Sequence, residues 1–345
     1  MTEKRPIETT LRNVNKTRII NGSCRPCPTI AGMTAAPSTP PAQASDIDLQ
    51  ALPAQPPLAD PSALARALAQ RLPDFGDVGW VAQIGSTNAE LLARVRAGSA
   101  VPLPWLLGTH LQTGGRGRAG RAWHNQPGAC LMMSVALAVD MPAHSLPALS
   151  PLAGLAACEA LRRLAGATAP DIQVKWPNDV QFGDKKLGGI LVETIRAPQG
   201  SGHIVVIGMG VNLIHAANLS RDLARGVADW SEVMAAGHAP TADAAGDDAT
   251  TLARIGSALA RGWHDVVVQC RDTGFAGLRD RYRQVDALLG RPVNVLEHGD
   301  ILFYGTAHDY DDDGRLLVAT DDQGIKPVSV GDVSVRPRAA PPDRS

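Results

Sequence analysis

One short stretch of the sequence combines residue types that could bind and activate an anionic ligand. From Gln112 to Trp123 the chain is Gln-Thr-Gly-Gly-Arg-Gly-Arg-Ala-Gly-Arg-Ala-Trp. Glycine reaches positive φ and lets backbone N–H groups approach a ligand closely. The guanidinium of arginine is planar and permanently charged, and it matches carboxylate or phosphate oxygens two at a time. The stretch is therefore predicted to wrap a small anion. Its apolar flanks disfavour the alternative, a disordered Gly/Arg segment that binds nucleic acid.

The glycines of this loop also fit a dinucleotide-binding pattern, which the surrounding sequence excludes. Gly115, Gly117 and Gly120 have the spacing G-x-G-x-x-G, but that fingerprint requires a helix to begin within the glycines. Pro127-Gly128 indicates a turn instead, and the apolar run 131–139 that follows is typical of a strand. The sequence contains no G-x-x-x-x-G-K-[ST] phosphate loop. A nucleotide would therefore bind in a third way.

A second candidate is the segment Lys175-Trp-Pro-Asn-Asp179. A β-branched run ends here in a Pro-Asn-Asp turn, which places Lys175 at a strand end between the apolar Val174 and Trp176. Most lysines are solvated surface residues. A lysine in this position is instead predicted to point at a bound group.

Ser86-Thr87-Asn88 is a third candidate, at the start of a predicted helix. Thr87 and Glu90 have the spacing of a capping box, and capping alone would account for these polar residues. The alternative is that their side chains face a polar ligand at the helix N-terminus.

The elements that must position these residues alternate between strands and helices. A helix is predicted from Asp60 and another from Ser150, because apolar residues recur at helical spacing after each cap. Strands are predicted at 79–84, 105–111, 131–139, 180–182, 187–194 and 203–210, with a turn at 183–186. Residues 215–249 are predicted to be a mobile loop and a linker around an isolated Trp230, and helices are predicted at 251–271 and 275–283.

After Gly290 the pattern changes to five short strands joined by tight turns, which predicts a small all-β barrel. Within it, Asp309, Asp311 and Asp313-Gly314 copy the first half of a calcium loop. The twelfth position is Thr320 rather than Glu, and strands flank the segment, so a hairpin turn is predicted instead.

Composition excludes several classes of function. The chain has 345 residues with 33 Lys plus Arg against 34 Asp plus Glu, so it lacks the basic excess of a bulk nucleic-acid binder. No apolar run approaches a membrane span, and no secretory signal is visible. Cys24 and Cys27 form a C-x-x-C without a second ligand pair, which disfavours a zinc site, and the other three cysteines lie in apolar surroundings. A reduced, cytoplasmic protein is predicted.

Taken in order, five motifs resemble those of the biotin protein ligases. They are Ser86-Thr87-Asn88, the Gln112–Trp123 loop, Lys175-Trp-Pro-Asn-Asp179, Leu187-Gly-Gly-Ile-Leu-Val-Glu193 and Gly208-Met-Gly-Val-Asn212. The C-terminal barrel, which ends in Val333-Ser-Val-Arg336, also resembles that family, so the resemblance covers about Trp80 to Arg336. It implies an α/β (α+β) fold with a mixed β-sheet flanked by helices, as in class II aminoacyl-tRNA synthetases and biotin/lipoate ligases, plus a C-terminal SH3-like β-barrel.

Composition and strand pattern, together with the resemblance, predict a domain organisation. A Pro/Ala-rich tail, expected to be disordered, would cover residues 1–58, and the biotin- and ATP-binding catalytic domain would cover 59–285. The barrel would cover 286–337, with a short tail at 338–345.

The family reaction implied by this resemblance has two steps. Biotin and MgATP give biotinyl-5′-adenylate and pyrophosphate, and a lysine of a biotin carboxyl carrier protein then attacks the mixed anhydride. The expected partner is the carrier protein or domain of acetyl-CoA carboxylase or of a related biotin-dependent carboxylase. ATP, Mg²⁺ and biotin are the expected small molecules. No metal site of protein side chains is predicted, and the base of the second step stays open, with Asp179 as one candidate.

Roles are carried over from the family by position. Catalytic roles fall on Lys175 and Arg118. Biotin binding falls on Ser86, Thr87, Asn88, Gln112, Gly115, Arg116, Gly117, Arg118, Lys175 and Gly188. Nucleotide binding falls on Arg116, Arg118, Arg121, Trp123, Lys175, Asn178, Asn212, Trp230 and Arg336.

Two other functions compete with this one. A lipoate or octanoate ligase belongs to the same superfamily. A biotin-responsive DNA-binding regulator would need a recognition helix and a basic face, and neither is visible in the sequence. Members that double as repressors carry an N-terminal DNA-binding domain where this chain has a proline-rich segment. The ligase-only type is therefore predicted, with no nucleic-acid or membrane partner. The oligomeric state, including a homodimer, is left open.

Overall fold

A seven-stranded mixed sheet forms the larger part of the fold. The computed structural model describes residues 58–123, 125–166, 171–198, 202–223, 226–236, 248–331 and 333–337, and the predictions for residues 1–57 and 338–345 lie outside these ranges. The strands are β1 (Asp77–Ile84), β2 (Trp105–Gln112), β3 (Cys130–Val139), β4 (Ile172–Lys175), β5 (Asp179–Phe182), β6 (Lys185–Arg196) and β7 (His203–Asn212). Their order is β1-β2-β3-β7-β6-β5-β4, and among these pairs β1 and β2 run parallel while the others are antiparallel. The predicted mixed sheet is confirmed.

Seven α-helices accompany the sheet in the described part of the chain. They are α1 (Pro61–Arg71), α2 (Thr87–Arg96), α3 (Leu149–Ala165), α4 (Ala216–Leu223), α5 (Trp230–Ala236), α6 (Asp248–Thr273) and α7 (Arg279–Arg283). Leu64 and Leu68 of α1 share a buried cluster with Met133 and Val135 of β3. This cluster also takes in apolar residues of α3 and α6, so these three helices cover one face of the sheet.

The opposite face carries α2 and is only partly covered. Leu91 and Val95 of α2 pack on Leu107 of β2 and Ala136 of β3. Side chains alternate between the faces of a strand, so Ser134 points to the same side as Ala136. The paired residue on β7 is Gly208. Because the part of this face that α2 leaves uncovered has small side chains, it leaves room for a ligand.

Residues 215–249 were predicted to be a loop and a linker, and the structure corrects this. Helices α4 and α5 lie within the described part of the segment, and α6 begins at Asp248. Asp229 makes this order possible: its Oδ2 accepts the N–H of Ala216 at 2.8 Å and its Oδ1 accepts the N–H of Glu232 at 3.0 Å. Composition alone does not reveal such a cap, since the surrounding residues are small and polar.

A five-stranded antiparallel sheet forms the C-terminal part, as predicted. Its strands are β8 (Pro292–Glu297), β9 (Asp300–Tyr310), β10 (Leu316–Thr320), β11 (Gly324–Val328) and β12 (Val333–Pro337), in the order β11-β10-β9-β8-β12. The aspartate-rich segment is a hairpin turn, as predicted, in which the side chain of Asp311 accepts the N–H groups of Asp313 and Arg315 at 3.0 and 2.9 Å.

The strand that carries Lys175 is tied to the segment that leads into the barrel. The N–H of Val174 donates to the carbonyl of Val285 at 2.7 Å, and the N–H of Ala287 donates to the carbonyl of Val174 at 2.9 Å. One residue beyond Lys175, the indole N–H of Trp176 donates to the carbonyl of Gly314 in the barrel at 3.1 Å. The position of Lys175 is therefore set from both sides.

Asp286, at this junction, is expected to make stability depend on pH. The residue is 8% exposed, and burial raises its pKa to about 6, although the hydroxyl of Tyr310 and the N–H groups of Leu288 and Leu289 oppose the shift. The folded pKa lies above the unfolded value of about 3.9. The contribution of this group is therefore fully present below pH 4 and is lost as pH rises through 6. The loss is on the order of 3 kcal/mol of unfolding free energy.

Urea unfolding of the wild type and of Asp286→Asn at pH 5 and pH 8 measures this effect. The asparagine variant, which does not ionise, should lose less stability than the wild type between the two pH values. Asp300→Asn, at an exposed position at the start of β9, serves as the control and should behave as the wild type. Equal pH dependence in Asp286→Asn and the wild type would contradict the expectation.

Candidate functional site

A groove of about 610 Å³ opens on the partly covered face of the larger sheet. The arginine loop, the start of α2, the 175–179 segment, the small residues of β6 and β7, and the end of the barrel all line it. Of the residues predicted to bind biotin or nucleotide, twelve line this groove: Ser86, Thr87, Asn88, Gln112, Arg116, Gly117, Arg118, Arg121, Trp123, Lys175, Asn178 and Arg336.

The arginine loop is a short hairpin with a fixed base. The N–H groups of Thr113 and Gly114 donate to the carbonyls at the end of β1, at 3.0 and 2.8 Å. Across the hairpin, the N–H of Trp123 donates to the carbonyl of Gly115 at 3.0 Å. At the tip, Ala119 and Gly120 have φ of 53° and 69°. The left-handed tip turns the chain within three residues, so Arg118 and Arg121 lie on the two sides of one small turn.

Thr87 and Asn88 form a hydrogen-bonded set at one end of the groove. The N–H of Thr87 donates to Oε1 of Gln112 at 2.8 Å, and its Oγ1 lies 2.6 Å from Oγ of Ser134. Ser134 in turn donates to Oδ1 of Asn88 at 2.6 Å. The predicted capping box is wrong, because the cap is Ser86, whose Oγ accepts the N–H of Ala89 at 3.4 Å. The side chain of Thr87 instead joins the hydrogen-bonded set that lines the groove. This favours the interpretation in which these polar side chains face a ligand.

Two lysine side chains place positive charge near the middle of the groove. Nζ of Lys175 lies 4.0 Å from Oδ2 of Asp179, its partner across β4 and β5. Lys186 contacts the other oxygen of Asp179, and its Nζ lies 5.7 Å from the ring centroid of Trp123. The sequence analysis placed Lys186 in a hairpin turn, but β6 already begins at Lys185. One carboxylate thus holds two ammonium groups, both of which line the groove.

Arg118 connects the loop to both walls of the groove. Its Nη1 donates to Oδ1 of Asn178 at 3.1 Å, and its Nη2 donates to the carbonyl of Gly331 in the barrel. Asn178 is itself fixed, because it exchanges hydrogen bonds with the backbone of Ile190 at 2.8 and 2.9 Å. Arg336 reaches the groove from the last barrel strand. The arginine loop, the larger sheet and the barrel therefore meet at one guanidinium.

Four predicted site residues do not line the groove. Gly115 lies at the base of the hairpin. Gly188 is a packing glycine: a Cβ there would lie 2.7 Å from the carbonyl oxygen of Gly210 and 2.8 Å from Cε of Met209. Asn212 is 4% exposed, and its amide donates to the carbonyls of Lys186 and Ala228 at 3.2 and 3.1 Å.

Trp230 lies in a different part of the fold from the groove. As the first residue of α5 it is 8% exposed, and it lines a separate cavity of about 200 Å³ with Trp80 and His110. Its indole packs in the main core rather than beside the arginine loop. Neither Trp230 nor Asn212 lines the groove, and their nucleotide-binding roles stay predictions.

Gly208 and Gly210 are required by close side-chain contacts. A Cβ on Gly208 would lie 2.1 Å from Oδ1 of Asn88, and one on Gly210 would lie 2.4 to 2.8 Å from the indole of Trp123. Both glycines line the groove. The motif Gly208-Met-Gly was recognised in the sequence, but these contacts depend on strand register and were not predicted.

Gly208→Ala is expected to weaken ligand binding at this end of the groove by about 10-fold or more, since overpacking costs about 1–3 kcal/mol. The methyl group would displace Asn88 and with it Ser134. Isothermal titration calorimetry with biotin, the ligand that the family resemblance implies, measures the change in affinity. Gly85→Ala is the matched control, because a Cβ there meets nothing within 4 Å. Equal affinity in the two variants would contradict the steric role of Gly208.

Comparison with known proteins extends the description of this groove. Residues 81–212 match the model of the Biotin/lipoate A/B protein ligase family, and residues 288–336 match the Biotin protein ligase C terminal domain. A relative from Mycobacterium tuberculosis named "Biotin--[acetyl-CoA-carboxylase] ligase" is 34% identical over 78% of this chain and 94% of its own length. One of the same name from Paracoccus denitrificans is 33% identical over 69% of this chain and 92% of its own.

A solved structure shares the fold. The "Biotin protein ligase from Aquifex aeolicus in complex with biotin and ATP" superposes with a TM-score of 0.59 at 23% identity, covering 76% of this chain and 99% of that one. Among the described residues, no helix is long and apolar enough to cross a membrane.

Proposed function

This chain belongs to the biotin protein ligases of the biotin/lipoate protein ligase family, and from that premise we propose how its groove carries out the reaction. The protein is an ATP-dependent biotin protein ligase. The observation that supports a mechanism best is that one groove joins a neutral hydrogen-bonding end, at Thr87, Gln112 and Ser134, to a cationic middle at Lys175, Lys186 and the arginine loop. Such a groove suits a ligand with a polar, uncharged head and an anionic tail.

The first step needs positive charge more than it needs a base. The carboxylate of biotin is already ionised, and it must attack the α-phosphate of ATP, which also carries negative charge. Lys175 and the guanidinium groups of Arg116, Arg118 and Arg121 offset that repulsion and stabilise the charge that moves onto the departing pyrophosphate. We assign biotin's ureido ring to the Thr87 end and its carboxylate to the side of Lys175.

Magnesium is proposed to arrive as part of the MgATP substrate. The described residues contain no group of three or more His, Cys, Asp or Glu side chains that could hold a metal ion. Mg²⁺ at nucleotide sites is bound mainly by phosphate oxygens and water with one or two carboxylates. Asp184 lines the groove and is the carboxylate that we propose for this purpose, since both oxygens of Asp179 face ammonium groups.

The second step transfers biotin to a lysine of a biotin carboxyl carrier protein or domain. We assign Asp179 to holding Lys175 and Lys186 rather than to the role of base in this step, since its two oxygens each face an ammonium group. We also propose residues 59–285 as the catalytic domain and 286–337 as the barrel domain. The change from the larger sheet to the barrel strands after the Val174–Ala287 contacts supports this division.

A cytoplasmic location and action without DNA complete the proposal. Cys130, Cys158 and Cys270 are buried free thiols, which supports a reducing compartment. The two relatives named as ligases match this chain over 94% and 92% of their length, which supports the ligase-only type.

The test is incubation of the purified protein with MgATP, a recombinant carrier domain and either labelled biotin, lipoate or octanoate. Formation of biotinyl-adenylate and labelling of the carrier lysine with biotin alone is the expected result. Adenylation of lipoate or octanoate in preference to biotin would replace the proposal with a lipoate-type ligase. Salt-sensitive binding to duplex DNA would revive the regulator hypothesis.

A further inference from the structure

A chain of hydrogen bonds, buried at Ser134 and part-buried at its far end, connects the groove to a carboxylate outside the predicted site. It begins at Glu193 on β6, whose Oε2 accepts from Nδ2 of Asn88 at 2.8 Å. The same amide nitrogen lies 3.3 Å from the carbonyl oxygen of Leu191. The chain continues through Ser134 and Thr87, and both of these are at most 2% exposed. Glu193 was quoted in the sequence as part of a motif but was given no role.

The direction of each hydrogen bond in this chain follows from counting protons. A carboxylate and a backbone carbonyl only accept, so they fix the amide of Asn88 with its nitrogen toward Glu193 and its oxygen toward Ser134. The oxygen of Asn88 cannot donate, so Ser134 gives its single proton to it across 2.6 Å. The contact between Ser134 and Thr87 is also 2.6 Å and needs a proton between the oxygens. That proton must come from Thr87.

The ligand end of the chain therefore has a defined polarity. Oγ1 of Thr87 also lies 3.2 Å from Oε1 of Gln112, but its single proton goes to the closer Ser134 oxygen at 2.6 Å. The remaining lone pair of Oγ1 is therefore available as an acceptor for a ligand in the groove. The N–H of Thr87 holds Oε1 of Gln112 at 2.8 Å, which leaves the amide nitrogen of Gln112 as a donor. A ligand that fits must present an N–H to Thr87 and a carbonyl oxygen to Gln112. A cyclic urea presents both groups side by side.

We propose that Glu193 is a positioning residue that selects the ureido ring of biotin by fixing the direction of this hydrogen-bond chain. The inference rests on the proposed function and adds its substrate selectivity. The dithiolane ring of lipoate and the alkyl chain of octanoate offer neither group, so they would leave the acceptor of Thr87 and the amide nitrogen of Gln112 without a ligand partner. A site built to hydrogen-bond its substrate rejects analogues without the matching group by roughly 10⁴-fold.

Glu193→Gln tests the proposal, because glutamine keeps the shape but can turn either an oxygen or a nitrogen toward Asn88. The longer contact to the carbonyl of Leu191, at 3.3 Å, then supports the original direction with less strength. The reversed direction becomes populated as well, and in it the proton of Thr87 turns away from Ser134 toward the groove. We expect the KM for biotin in adenylate formation to rise roughly 10- to 100-fold, the scale of one charged hydrogen bond. The KM for ATP should stay within about 2-fold, because the cationic middle of the groove is untouched.

A double-mutant cycle separates positioning from a general loss of structure. Ser134→Ala interrupts the chain in its middle, so adding Glu193→Gln to it should change the KM for biotin by less than about 2-fold. Glu90→Gln, the same change on α2 where the carboxylate pairs with Arg94 at 2.9 Å, is the matched control and should leave this KM unchanged.

The outcomes are distinct. Additive effects of Glu193→Gln and Ser134→Ala, or an unchanged KM for biotin in an active Glu193→Gln enzyme, would overturn the positioning role alone. A rise in the KM for ATP equal to that for biotin would also overturn it, since this indicates general damage. A wild type that forms no biotinyl-adenylate contradicts the proposed function and this inference together.

Discussion

Replacing Lys175 with alanine is expected to lower the rate of biotinyl-adenylate formation by roughly 10²–10³-fold, the usual loss for one preorganised electrostatic group. The ammonium group stands at the end of β4, where Val174 is anchored to the segment 285–287 and Trp176 to the barrel. Its side chain is only 20% exposed, and Asp179 lies 4.0 Å away. It is therefore held in place before the reaction and adds little reorganisation cost when charge develops on the phosphates.

The measurement is single-turnover formation of labelled adenylate at saturating biotin and MgATP, which separates chemistry from binding. Lys185→Ala is the matched control. Lys185 is the first residue of β6, its side chain is 54% exposed, and it pairs with Glu232 of α5. Lys175→Arg keeps the charge in a different geometry and should fall between the two. If folded Lys175→Ala retained the rate of Lys185→Ala, Lys175 would have no role in the transition state.

The parts of the site that could be predicted from sequence are those whose chemistry is local. Four glycines and three arginines within twelve residues predict an anion-wrapping loop wherever they are placed. Lys175 follows an apolar strand and precedes a Pro-Asn-Asp turn, and that pattern alone places it at a strand end. The mixed sheet and the terminal barrel followed from the resemblance and from the change in strand length after Gly290.

The missed residues act through strand register, which no local pattern contains. Ser134 is one polar residue in the apolar run of β3, and its contacts arise because α2 lies over the same face of the sheet. Glu193 meets Asn88 over a separation of 105 residues. Trp230 shows the opposite error: a polar, Ala-rich neighbourhood predicts a loop, but Asp229 caps α5 and the indole joins the core. In both cases the position of the side chain is determined by tertiary packing and not by the local sequence.

Arg118→Gly is expected to make biotinyl-adenylate but to release it early, so that free intermediate labels exposed lysines of bystander proteins. The intermediate is a mixed anhydride that reacts with water and with amines, and the enzyme must hold it until the carrier lysine arrives. Ordering the loop costs about 1–2 kcal/mol per residue fixed. Arg118 offsets part of that cost through Asn178 at 3.1 Å and through the carbonyl of Gly331. Its loss leaves the groove formed but removes the contact between the loop and both walls.

The size of the leak follows from the strength of those contacts. Charged hydrogen bonds contribute about 1.5–3 kcal/mol each, so loss of one should speed release of the intermediate by roughly 10- to 100-fold. Arg118→Gly removes both contacts and should exceed that range. The variant, MgATP, biotin and a protein that is not a carrier are mixed, and biotin on the bystander is measured by blot against total adenylate formed. Arg118→Lys retains the charge without the fork and should leak less than Arg118→Gly, because a point charge cannot reach Asn178 and Gly331 together. Asn178→Ala removes one of the two partners and should leak to an intermediate extent. If Arg118→Gly forms adenylate but labels the bystander no more than the wild type does, the arginine does not retain the intermediate, and retention must rest on the hairpin base at Gly114, Gly115 and Trp123.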